Sequence, residues 1–113
     1  MTPHMTPDAT DVLARLSATI EARASADPAT SHTAGLLAKG PAKCAEKFGE
    51  EAIEAIVAAA QGSRAALTAE AADVLYHLQV MLKSAGVAWA DVLAELERRE
   101  GTSGIAEKAA RKP

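Results

Sequence analysis

The chain has 113 residues, 49% of them hydrophobic but only 3% aromatic, with 12 basic and 15 acidic side chains for a net charge of -3. That length fits one small domain. The acidic balance excludes the basic surface of a nucleic-acid binder, and a single cysteine excludes an intrachain disulfide or a thiolate zinc site.

Residues 1–7 carry two prolines and few apolar groups, so they are expected to be loose. A first helix is predicted from about Asp8 to Ala24, with Val12, Leu13, Leu16 and Ile20 on one face. Thr6 or Asp8 would cap it, with Pro7 in its first turn. Ser25–Ser31 reads as a loop. A short helix follows, capped by Ser31 or Thr33 and ended by Gly40. Pro41 opens the next helix, which runs to Ala60 or Gln61. Gly62-Ser63 closes that helix and Ser63 caps another, from about Arg64 to Ala85. On that helix Leu67, Val74, Leu75, Leu78, Met81 and Leu82 share an arc of roughly 120°. Glu70 and His77 lie at its margin. A further helix spans about Ala88 to Glu100, with Trp89, Val92, Leu93 and Leu96 inward. Gly101–Gly104 breaks it, and the charged tail after Ile105 reads as a partial helix or disorder.

β-branched residues are sparse and no alternating pattern stands out, so the expected fold is all-α, a bundle of four to five helices. Its core, rich in alanine, is thin and suits completion by homodimerisation. The expectation is one domain over residues 1–113, with 1–7 and about 105–113 flexible. No signal peptide is expected, and the sequence shows no apolar run of membrane length. A cytoplasmic enzyme or binding module fits, without membrane or nucleic-acid partners.

The helix from Lys43 to Ala60 carries the most chemistry. Wound at about 100° per residue, it gathers Lys43, Lys47, Glu50, Glu51 and Glu54 in one arc. Phe48, Ala52, Ile56 and Ala59 fall on the opposite side, flanked by Ile53 and Ala60, and that side is expected to pack. Glu51 and Glu54 are neighbours on the helix surface, and so are Glu70 and Asp73 on the next helix. Two such pairs brought face to face make a site for a hard cation. Mg²⁺ fits best, because it takes oxygen ligands and keeps waters that phosphates can replace. Lys43 and Lys47 could reach phosphate oxygens; the plainer reading pairs them with Glu46, Glu50 or Glu51. His77 suits a general base, but a polar residue at the edge of the helix core, hydrogen bonded to a carboxylate or backbone, is the stronger reading. The Tyr76 hydroxyl is a candidate dimer contact, and Cys44 reads as a small buried hydrophobe.

Three runs carry a family resemblance: Ser31-His-Thr-Ala-Gly-Leu-Leu37, Lys43-Cys-Ala-Glu-Lys-Phe-Gly-Glu-Glu-Ala-Ile-Glu54 and Glu70-Ala-Ala-Asp-Val-Leu-Tyr-His-Leu78. Together they resemble phosphoribosyl-ATP pyrophosphatase, of the second step of histidine biosynthesis, within the all-α NTP pyrophosphatase superfamily. The tail Gly101–Lys108 looks like the same family. The resemblance implies hydrolysis of phosphoribosyl-ATP to phosphoribosyl-AMP and pyrophosphate. It implies that Glu51, Glu54, Glu70 and Asp73 hold Mg²⁺, and that Glu50 and Glu51 serve catalysis, Glu50 by orienting a water or completing the outer shell. Lys43, Lys47 and Thr33 would contact substrate. It also implies a homodimer, and a stand-alone form rather than a fusion to the next enzyme of the pathway. This chain has His32 where the family usually has Tyr, and Cys44 where an aliphatic residue is usual. Two other readings remain: a housekeeping (d)NTP pyrophosphatase with the same metal motif, and a helical interaction module with a solvated acidic face.

Overall fold

The computed structural model of the chain describes residues 11–102 and 104–111. The predicted caps Thr6 and Asp8, the first-turn Pro7 and the loose segment 1–7 lie outside the described residues. Helices account for the regular structure there: α1 (Val12–Arg23), α2 (His32–Ala38), α3 (Pro41–Ala60), α4 (Arg64–Ser84), α5 (Trp89–Arg98) and α6 (Gly104–Ala110). The all-α expectation holds. A sixth helix, seven residues long, forms where the tail was read as a partial helix or disorder.

Helix boundaries follow local chemistry. The Ser31 hydroxyl accepts from the Ala34 amide at 3.1 Å, so Ser31 rather than Thr33 caps α2. Ser63 does the same for α4, accepting from the Ala66 amide at 3.2 Å. Gly40, with φ +92°, turns the chain between α2 and α3, and Pro41 opens α3 without wasting an amide.

α3 and α4 form a helical hairpin joined by Gln61–Ser63, and this hairpin is the main packing unit. α1 and α2 lean on the Cys44–Val80 end of it. The innermost side chains are Ile20, Leu36, Cys44 and Val80, with Leu16, Leu37, Tyr76 and Met81 packed around them. The Cys44 thiol donates to the Leu36 carbonyl oxygen at 3.2 Å and is buried, as expected of a small core hydrophobe. The Gln79 side-chain amide donates to the Leu13 carbonyl oxygen at 3.0 Å and ties α4 to α1.

Two packing expectations are corrected. The covered side of α3 carries Cys44, Ala55 and Ala58, with Glu51 at its edge; Phe48 and Ala52 of the expected face are half-buried, and the rest of that face is not. Ile53 and Ile56 are 61% and 65% exposed, and Ala59 and Ala60 are exposed as well. Small side chains let two long helices approach closely, so alanines rather than isoleucines take the contact. On α5, Leu93 and Leu96 are exposed, and of the four residues expected inward Trp89 and Val92 are partly covered. α5 meets little beyond the end of α4, and an open groove separates its Trp89 and Leu93 from α1.

Candidate functional site

Because α3 and α4 run antiparallel, their surfaces meet as a ladder. Cys44 of α3 lies level with Val80 of α4, Lys47 with His77, and Glu51 and Glu54 with Glu70 and Asp73. Glu51, Glu70 and Asp73 each offer a carboxylate oxygen, and these oxygens lie within 4.8 Å of one another. Glu54 borders the group and meets both Glu51 and Glu70. Sequence spacing put the two pairs on two helices; the hairpin brings them face to face.

The electrostatics record the crowding. The Glu51 carboxyl is held above its ordinary value, first by a hydrogen bond shared with Glu54, then by burial and by the charges of Glu54, Asp73 and Glu70. Glu70 is also raised, first by burial, then by the Glu54 charge and by Glu54 and Asp73 as hydrogen-bonding neighbours. Carboxylates arranged this way resist ionisation unless a cation neutralises them. An all-oxygen donor set of this density fits a hard divalent ion, which would take the place of the shared protons.

Lys47 and Glu50 flank the cluster one turn along α3, and the Lys47 ammonium donates to the Glu50 carboxylate at 3.1 Å. That bond, with the Glu50 charge, raises the Lys47 pKa and keeps the ammonium charged. Lys43 pairs with Glu46 at 3.1 Å. Both lysines therefore take the plainer of their two predicted arrangements. Both pairs are solvent-exposed and worth little in stability, so either ammonium can be drawn away by a stronger anion.

Thr33, a candidate substrate contact, is bonded within the chain. It is 6% exposed, and its hydroxyl lies 2.6 Å from that of Tyr76. Thr33 thus has a partner inside the chain, and so does the Tyr76 hydroxyl. Around this pair is a ring cluster that spacing alone did not reveal. The His32 and Tyr76 rings stack with centroids 6.1 Å apart and planes 18° from parallel. The His77 ring meets Tyr76 edge-on at 5.0 Å and His32 edge-on at 6.3 Å. Only the adjacency of these residues in the runs Ser31-His-Thr33 and Tyr76-His77 could have hinted at it.

His77 is 8% exposed, and its Nδ1 is buried with no hydrogen-bond partner, where a bond to carboxylate or backbone was expected. Burial lowers its pKa, helped by the charges of His32 and Lys47 and opposed by Asp73 and Glu50. The imidazole is therefore held neutral at pH 7, one turn from Asp73.

A family model described as phosphoribosyl-ATP pyrophosphohydrolase matches residues 13–100. A phosphoribosyl-ATP pyrophosphatase of Dinoroseobacter shibae is 73% identical over 100 residues, covering 88% of this chain and 98% of the relative. Proteins of the same name from Cereibacter sphaeroides and Ruegeria pomeroyi are 70% and 68% identical, each over 88% of this chain and over 97% and 95% of their own lengths.

Proposed function

The chain belongs to the phosphoribosyl-ATP pyrophosphohydrolase family, and on that premise we propose that it hydrolyses phosphoribosyl-ATP to phosphoribosyl-AMP and pyrophosphate, a step of histidine biosynthesis. The observation that carries the reading is the convergence of Glu51, Glu70 and Asp73, with Glu54 beside them, at the centre of the α3–α4 hairpin. Glu51, Glu54, Glu70 and Asp73 would hold Mg²⁺. When bound, the ion supplies charge neutralisation for phosphoryl oxygens and acidifies a coordinated water.

The chain's own residues do the rest. The carboxylates would hold the cation, which would supply positive charge for the triphosphate. Glu50, released when Lys47 turns to phosphate, lies beside them and orients the attacking water, whose proton passes to a carboxylate, Glu50 or Glu51. The water oxygen bonds to phosphorus, the bond to the oxygen bridging the α and β phosphates breaks, and pyrophosphate leaves with the electron pair. Lys47 and Lys43 exchange their glutamate partners for phosphate and offset the charge gathering on pyrophosphate. Thr33 acts at one remove, by fixing Tyr76.

The working form on this reading is a homodimer. Ile53, Ile56 and Val57 of α3, with Leu67 and Leu75 of α4, are 36–65% exposed in the single chain. Such a patch on a small acidic protein suits a second copy better than water. The reaction belongs in the cytoplasm, where a nucleotide intermediate of biosynthesis would be found.

The test is pyrophosphate release by the purified protein with Mg²⁺. Phosphoribosyl-ATP is expected to be strongly preferred over ATP and dNTPs. Release from dNTPs alone would keep the metal site and discard the pathway. Release from none would discard both.

A further inference from the structure

We infer that the exposed ring of His32 is the platform on which the purine base of the substrate rests, and that the site uses the flat aromatic surface of that ring rather than its polar nitrogens. This rests on the reading of the chain as a hydrolase of phosphoribosyl-ATP, whose adenine must lie within one nucleoside's reach of phosphates held at the carboxylates.

A purine buries its faces best against another ring. This chain has one Phe, one Trp, one Tyr and three His to offer. Trp89 lines a separate groove between α1, α4 and α5, with its indole nitrogen buried. Phe48 is half-buried on α3. Tyr76 is committed: its hydroxyl is bonded to Thr33, and its ring is half-buried between His32 and the edge of His77. His77 is itself buried. Among the described residues that leaves His32, an exposed ring fixed in orientation by its near-parallel stack on Tyr76.

Its position suits the task. The His32 ring lies 6.3 Å from that of His77, which is within electrostatic range of Lys47, Glu50 and Asp73. The platform is therefore one side chain removed from the phosphate-binding end. His32 also borders an open cavity of about 370 Å³, walled by Pro28, Thr30, Ser31, Gly35 and Lys39. That space admits a base beside the ring. Loop and helix approach closely at this wall: a Cβ at Gly35 would come within 3.3 Å of the Pro28 carbonyl oxygen.

The test compares wild type, His32→Ala and His32→Phe by calorimetric titration with AMP and, separately, with inorganic pyrophosphate, in the presence of Mg²⁺. Circular dichroism melts confirm that each variant folds. His32→Ala is expected to weaken AMP about tenfold and to leave pyrophosphate affinity where it was. His32→Phe is expected to restore AMP binding. In turnover, the His32→Ala defect should fall on KM more than on kcat. Equal AMP affinity in wild type and His32→Ala, or no AMP binding by either, overturns the platform. So does failure of His32→Phe to rescue, since the nitrogens would then matter. Turnover by wild type is read apart from this: without pyrophosphate release from phosphoribosyl-ATP the proposed function falls, while AMP binding still decides the platform.

Discussion

The contact between Thr33 and Tyr76 joins residues 43 apart in sequence at 2.6 Å, and its worth can be measured by a double-mutant cycle. Thr33→Val keeps the shape of the side chain and removes the hydroxyl. The bond itself is worth about 1 kcal/mol net, and a polar group stranded without a partner costs about 1–3 kcal/mol when buried. Tyr76 is only half-buried, so its freed hydroxyl regains some water, and Thr33→Val should cost about 1–2 kcal/mol. Tyr76→Phe strands the more deeply buried Thr33 hydroxyl and should cost about 1–3 kcal/mol. The double variant leaves no orphan. It should be no less stable than the worse single variant, giving a coupling energy of about 1 kcal/mol or more.

The assay is urea denaturation followed by circular dichroism, at one fixed protein concentration so that any assembly contributes equally. If the single costs add to within about 0.5 kcal/mol of the double, the two hydroxyls do not interact. The account of how Tyr76 is held beside His32 and His77 would then be wrong.

Other consequences follow from the carboxylates. Glu54→Gln and Asp73→Asn are each expected to abolish pyrophosphate release while leaving the helical circular dichroism spectrum intact; near wild-type turnover by either under saturating substrate and Mg²⁺ would refute the metal-site assignment. Glu51 and Glu70 are held above the ordinary carboxylate value of 4.5, so the folded state binds more protons than the unfolded state in the window above that pH. Metal-free protein should therefore lose stability as pH rises through that window, and saturating Mg²⁺ should abolish the loss; identical pH–stability curves with and without Mg²⁺ would argue against a cation at these residues. Glu95 behaves in the opposite way. Arg98 and Arg99 bond its carboxylate and hold its pKa at about 2, so its contribution is present above 4.5 and fades as pH falls toward 2. NMR titration of the Glu95 side chain should show that midpoint, and Arg99→Gln should move it upward.

Much of this architecture was legible because helix ends are local chemistry. Ser31 and Ser63 mark boundaries through bonds to nearby amides, Gly40 and Pro41 through their own backbone geometry, and a one-dimensional reading captures both. The acid pairs were legible for the same reason, since i, i+3 spacing fixes a shared helix face. The Thr33–Tyr76 bond and the ring stack above it carry no comparable mark. They depend on how α2 lies across the hairpin, which no local pattern sets.

The misread face of α3 has a different cause, and it bears on how the protein works. From Cys44 to Ala60 this helix is apolar over most of its circumference, so periodicity alone could not choose between two packing faces. Side-chain size decides. Cys44, Ala55 and Ala58 let α4 approach closely and place Glu51 and Glu54 against Glu70 and Asp73. Had Ile53 and Ile56 packed inward, the hairpin would have spread and the carboxylates would have rotated out of reach of one another. Small residues at the intrachain contact thus assemble the candidate metal site. The larger residues displaced from that contact form the exposed patch assigned above to a second copy of the chain. On this view the apolar surplus of α3 and the acid cluster are two results of one choice of helix face.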